Sequence, residues 1–128
     1  MFSNQLRRAL QSGPVYALAA FLMAERVRVN GWSMHPVLAP GERVLFDRLA
    51  YRWTDPAPGE IVLARDPRDG RLLIKQVGDT QGEDGYVLLG TNPEFSSDSR
   101  HFGPVARSAL LARAWLVYWS PERFRVLH

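Results

Sequence analysis

The 128-residue chain has no cysteine, a single lysine and no long apolar run. Without thiols it cannot be a disulfide scaffold, use a cysteine nucleophile or hold zinc through thiolates, although their absence does not fix the compartment. The lone lysine is Lys75, so nearly all of the 16 basic residues are arginines. They form no compact basic block, and the net charge is only +3. Cations scattered over turns and strands speak against a nucleic-acid partner. The longest apolar run covers residues 14–24. As a helix it would rise about 16 Å, roughly half the hydrocarbon core of a bilayer, which argues against a transmembrane span there. Arg7 and Arg8 precede it in the manner of a secretory signal. Glu25, Arg26 and Arg28 follow at once, however, with no small polar cleavage region.

What is present suits one globular domain. Hydrophobic residues make up 46% and aromatics 11%, enough for a real core and too many for a disordered chain. From residue 25 onward, short apolar runs alternate with Gly, Pro, Asp and Asn, the punctuation of an all-β domain. The pattern predicts strands over 26–30, 43–47, 60–65, 72–77, 86–89 and 110–119. Turns are predicted at 39–41, 55–59, 66–70 and 82–85, each with a Pro or a Gly. Residues 4–24 read as a short helix with a potential break at Gly13-Pro14. That helix either packs on the domain or dips into a membrane interface. The expected organisation is an N-terminal helical segment, 1–25, and a catalytic β-domain, 26–128. The fold class is mainly β, with short antiparallel strands and one short N-terminal helix. Repeats, low-complexity tracts and long linkers are absent, and no motif sets an oligomeric state.

Three stretches carry chemistry. In the first, a strand runs into Gly31-Trp32-Ser33-Met34-His35-Pro36. Gly31 would let a substrate backbone approach closely, and the Ser33 N–H could face a reacting carbonyl. Serines in such turns are also common structural residues. A catalytic serine needs a base. His35 is too near in sequence, His128 is terminal, and His101 has only Asp98 as an orienter, so all three read as surface histidines. Lys75 is the better candidate, because in a strand it shares a face with Leu73 and Val77. Burial there would lower its pKa and make the neutral amine a base. The competing reading has its head snorkelling to water or pairing with a carboxylate. The third stretch, 90–100, is dense in hydroxyls and carries Asp98 and Arg100. It is either a polar surface loop or the loop whose hydroxyl holds the lysine in line.

Taken in order, Ser33-Met34-x-Pro36, Pro40-Gly41-Glu42-Arg43-Val44, Pro58-Gly59-Glu60-Ile61-Val62, Leu73-Ile74-Lys75-Gln76-Val77 and Gly90-x-Asn92 form one series. It continues through Ser96-x-Asp98-Ser99-Arg100-x-Phe102-Gly103-Pro104-Val105. The series resembles the bacterial signal peptidase I family of Ser/Lys-dyad endopeptidases over about residues 26–119. Within it the chain is most similar to the short branch described as nickel-type superoxide dismutase maturation proteases. That branch shares the Asp-Pro-Arg-Asp hairpin and the closing Tyr118-Trp119-Ser120-Pro121. The resemblance implies a signal-peptidase-like β-domain with Ser33 as nucleophile and Lys75 as general base. Ser96 would orient the amine, and Asp98 and Arg100 would pin the loop as an ion pair. The oxyanion and substrate positions would be Ser33, Gly31, Trp32 and Met34. Some members place a serine where this chain has Gly31. The usual Gly-Asp-Asn reads Gly90-Thr91-Asn92, and the usual Lys-Arg reads Lys75-Gln76.

The expected function is a serine endopeptidase that removes an N-terminal extension from a protein, with no metal or organic cofactor. Its substrate is a protein or peptide, and it is cytoplasmic or touches a membrane peripherally through residues 1–24. The alternative is a signal peptidase proper, acting on exported preproteins with its site on the extracytoplasmic side. A non-catalytic peptide-binding β-domain is a further class. The joint presence of Ser33, Lys75 and Ser96 argues against it.

Overall fold

A computed structural model describes residues 13–79 and 85–127. Helix α1 (Pro14–Leu22) starts where proline is tolerated, since its missing N–H would have had no partner in the first turn. Its inner face buries Ala20, and Tyr16 Oη donates to Asp47 Oδ2 at 2.6 Å. Its outer face leaves Val15, Leu18 and Leu22 exposed. The helix therefore packs on the domain and begins at Gly13-Pro14, while residues 4–12 of the predicted helix lie outside the described residues. Among the described residues, no helix is long and apolar enough to cross a membrane.

Seven strands follow: β1 (Glu25–Arg28), β2 (Arg43–Asp47), β3 (Ile61–Arg65), β4 (Leu72–Val77), β5 (Leu88–Leu89), β6 (Leu110–Trp119) and β7 (Arg125–Val126). They form one antiparallel sheet of order β1-β2-β6-β3-β4-β5, with β7 beside β6. This is the mainly β fold expected from the sequence. The strands predicted over 43–47, 72–77 and 110–119 have the observed bounds. The one predicted over 86–89 is shorter. Only Leu88 and Leu89 pair with β4, and Tyr86 makes an isolated bridge to Val105. Strand β7 and the four-residue helix α2 (Ser99–Phe102) were not predicted. Most of the turn predicted at 82–85 lies outside the described residues.

Register shifts on β2 and β3 bend the ladders around β6, which pairs with β3 over its first half and β2 over most of its length. Both faces of β3 are covered. Ile61 and Leu63 join Met34, Phe46 and Val117 in one apolar cluster. Val62 and Ala64 join Val77, Leu88 and Leu110 in another. Burial on both sides explains the unbroken apolar run in this strand. Two edges matter for the site. Among the described residues, strand β1 is the first of the sheet and has one free edge, and β4 meets β5 only from Gln76 onward.

Candidate active site

The segment after β1 is held by backbone bonds to the turn at 39–42. The Val29 N–H donates to Glu42 O at 2.8 Å, and Gly41 N–H donates to Val29 O at 2.9 Å. The chain then reverses at Gly31, whose φ of +78° strains any side chain. A tight turn follows, with His35 N–H on Trp32 O at 3.1 Å, and places Ser33 at its apex, half-buried. The Asn92 N–H donates to Ser33 O at 2.9 Å and fastens this apex to the segment after β5. Thr91 Oγ1 adds a bond to His35 O at 3.2 Å.

Lys75 lies opposite Val62 in the β3–β4 ladder and is only 3% exposed. Its amine neither snorkels to water nor bonds directly to a carboxylate; Nζ donates to Ser96 Oγ at 2.9 Å. Burial pushes its pKa down, the nearby Asp98 pulls it back up, and Arg100 lowers it again. Ser96 Oγ in turn donates to Asp98 Oδ2 at 3.2 Å. Asp98 is fully buried. Burial alone would push its carboxyl up. The Arg100 guanidinium and the N–H groups of Gly90 and Arg100 reverse that and hold it well below the usual carboxylate range. Asp98 also caps α2, which is how so short a helix forms.

Ser33 and Lys75 line one groove of about 320 Å³. Val27, Arg28 and Val29 form one wall along β1, and Leu73 and Ile74 form the other along β4, with Met34 and Leu63 also lining it. No direct Ser33–Lys75 hydrogen bond forms among the described residues. Of the other sequence-predicted residues, Met34 is buried and lines the groove. Gly31 and Trp32 are exposed outside its lining, Trp32 against the His35 ring. His35 and His101 are exposed, and His128 lies outside the described residues.

Sequence reasoning assigned no role to three contributors. Asn92 ties down the Ser33 turn. The walls of the groove come from consecutive residues, 27–30 and 72–75, of two segments distant in sequence. Gly90 has no room for a side chain, since a Cβ there would sit 2.1 Å from Ser96 Oγ and 2.8 Å from Ser33 O. Among the described residues, no group of His, Asp and Glu is placed to hold a metal ion.

A serine in a tight turn, a buried amine and a groove with free strand edges suit peptide-bond hydrolysis. The family model described as signal peptidase, peptidase S26, matches residues 5–84 and 79–119. The chain belongs to this family and is a serine-type endopeptidase. The mitochondrial ATP-independent inner membrane protease subunit 1a of Arabidopsis thaliana is 34% identical over 119 aligned positions, covering 75% of this chain and 71% of the relative. The probable signal peptidase I-2 of Synechocystis sp. is 27% identical, covering 82% of this chain and 67% of the relative. The thylakoidal processing peptidase 1 of Arabidopsis thaliana is 24% identical, covering 94% of this chain and 49% of the relative.

Proposed function

We propose that Ser33 is the nucleophile and Lys75 the general base of a protease that removes N-terminal extensions from protein substrates. The observation carrying this reading is the buried Lys75 amine, hydrogen-bonded to Ser96 and lining the same groove as Ser33. An extended substrate lies along the free edge of β1. Ser33 Oγ attacks the scissile carbonyl carbon as the neutral lysine takes its proton. The oxyanion rests on the Ser33 N–H, which has no acceptor among the described residues. Collapse breaks the C–N bond, and the proton on Lys75 passes to the leaving amine. Lys75 then takes a proton from water, whose oxygen attacks the acyl ester. The second collapse frees the carboxylate and returns a proton to Ser33 Oγ. Ser96 orients the amine, and Asp98 with Arg100 holds Ser96. This chain's own residues carry every proton, so the cycle uses no cofactor.

The dedicated maturation role is supported by the Asp-Pro-Arg-Asp hairpin and the Tyr-Trp-Ser-Pro ending noted in the sequence. A second reading, cleavage of exported preproteins at a membrane, is favoured by the exposed apolar stripe of α1 and by relatives named for the mitochondrial inner membrane and the thylakoid. Ser33→Ala and Lys75→Ala are each expected to cut turnover roughly a thousandfold or more with the fold intact by circular dichroism. Wild-type turnover in either would overturn the dyad. Comparing protein N-termini in cells with active and Ser33→Ala enzyme separates the roles: one altered protein supports maturation, many exported ones the membrane reading.

A further inference from the structure

The turn between β3 and β4 carries an ion pair that the proposed dyad does not use. Asp66 is buried, and Arg68 forks it. Asp66 Oδ1 accepts from the Arg68 N–H at 2.8 Å and from Nε at 3.0 Å, and Oδ2 accepts from Nη2 at 2.8 Å. The Asp98–Arg100 pair repeats this pattern atom for atom. Asp98 Oδ1 accepts from the Arg100 N–H and Nε, both at 3.0 Å, and Oδ2 accepts from Nη2. Two Asp-x-Arg forks thus bracket the segment Ser96-Ser97-Asp98. One lies in the loop itself. The other reaches across from the hairpin, because Arg68 Nη2 also donates to Ser97 Oγ at 2.9 Å. The Arg68 guanidinium carbon sits 5.1 Å from the Phe102 ring centroid on α2.

We propose that Arg68, oriented by Asp66, is a positioning residue for the reaction: it holds Ser97, and with it the adjacent Ser96 hydroxyl, against the Lys75 amine. The inference rests on the dyad reading above. Exposed ion pairs contribute little in general. Here, however, the carboxylate is buried and the fork bidentate, so the guanidinium has one fixed direction. The hairpin beneath it is itself closed, with Gly70 N–H on Asp66 O at 2.8 Å and Asp66 N–H on Arg71 O at 2.7 Å. From this turn β4 runs directly to Lys75. Arg68 therefore couples the strand that carries the amine to the loop that carries its acceptor. It is also placed to balance charge. Lys75 is influenced by Asp98 and Arg100 from the loop and by Asp66 from the hairpin, and Arg28 of β1 lines the same groove. The Arg68 cation offsets the Asp66 carboxylate.

The test is steady-state kinetics with a pH profile for Ser97→Ala, Arg68→Lys and Arg68→Gln. Each is expected to lose roughly tenfold in kcat, about one charge-assisted hydrogen bond, with KM little changed. KM should hold because neither Arg68 nor Ser97 lines the groove. Only Arg68→Gln should move the acid limb of kcat/KM to higher pH, since Asp66 then holds the lysine proton more firmly. Adding Asp66→Asn to that variant should bring the limb back. A wild-type kcat in Ser97→Ala overturns the inference, even if Arg68→Gln fails to fold. Inactive Ser33→Ala and Lys75→Ala beside fully active Ser97→Ala would overturn this inference alone and leave the dyad standing.

Discussion

At the scale of single residues, Lys75 sets activity against stability. Its ordinary pKa is about 10.4, and burial lowers it in the folded chain. Between the lowered and the ordinary value, the unfolded chain binds more protons than the folded one. Stability contributed by this group therefore rises with pH across that window. Below it, the fold carries a charged amine that water would have solvated. Lys75→Met is expected to abolish cleavage and raise the melting temperature, with the gain greatest near pH 6 and shrinking towards pH 10. Calorimetry across that range checks it, and a gain independent of pH would show that burial of charge is not the cause. This lysine was legible in the sequence because it is alone of its kind and shares a strand face with apolar neighbours. Gly90 was not. Its requirement comes from Ser96 and Ser33 on two other segments, and local sequence carries no trace of that contact.

At the scale of elements, legibility followed length. The long strand β6 and the hairpin β3–β4 have apolar patterns that a window of residues can register. Strand β7 has two residues and α2 has four, too few for any period. What makes them is tertiary: α2 is nucleated by the Asp98 cap, and β7 is held by Arg125 on Glu42. The apolar run of α1 was legible, but not which side it buries. The Tyr16–Asp47 bond settles that and turns Val15, Leu18 and Leu22 outward, 82%, 61% and 72% exposed. If the proposed membrane contact uses this stripe, Leu18→Glu with Leu22→Glu should weaken binding to anionic vesicles roughly tenfold or more, from the apolar area lost. Cleavage of a short soluble peptide should not change, because neither residue lines the groove. Unaltered co-sedimentation of the double variant would remove α1 as the contact.

At the scale of the whole molecule, buried carboxylates pair with arginines, among them Glu42, Asp66 and Asp98. Glu42 makes the longest tie. It accepts from Arg125 at 2.7 and 3.0 Å, and Arg123 lies 3.3 Å away, so the C-terminal strand is fastened to the turn that supports β1. Burial pushes the Glu42 carboxyl up, but the Arg125 bonds, the Ala39 N–H and the Arg123 charge outweigh it and leave it below the ordinary value. A lowered carboxyl stabilises the fold above the ordinary carboxylate range, and that contribution is lost as pH falls through it. All three groups are shifted this way, so stability should fall steeply below about pH 4. Arg125→Met isolates one of them. It should cost about 2–3 kcal/mol at pH 7, where Glu42 keeps Arg123 as its one cation partner among the described residues. The gap from wild type should narrow towards pH 3, because a protonated Glu42 no longer needs the guanidinium. Urea unfolding of both proteins at the two pH values reads that difference directly. An equal gap at both would mean that Arg125 acts by packing over the turn, and the C-terminal strand would then be held by shape rather than charge.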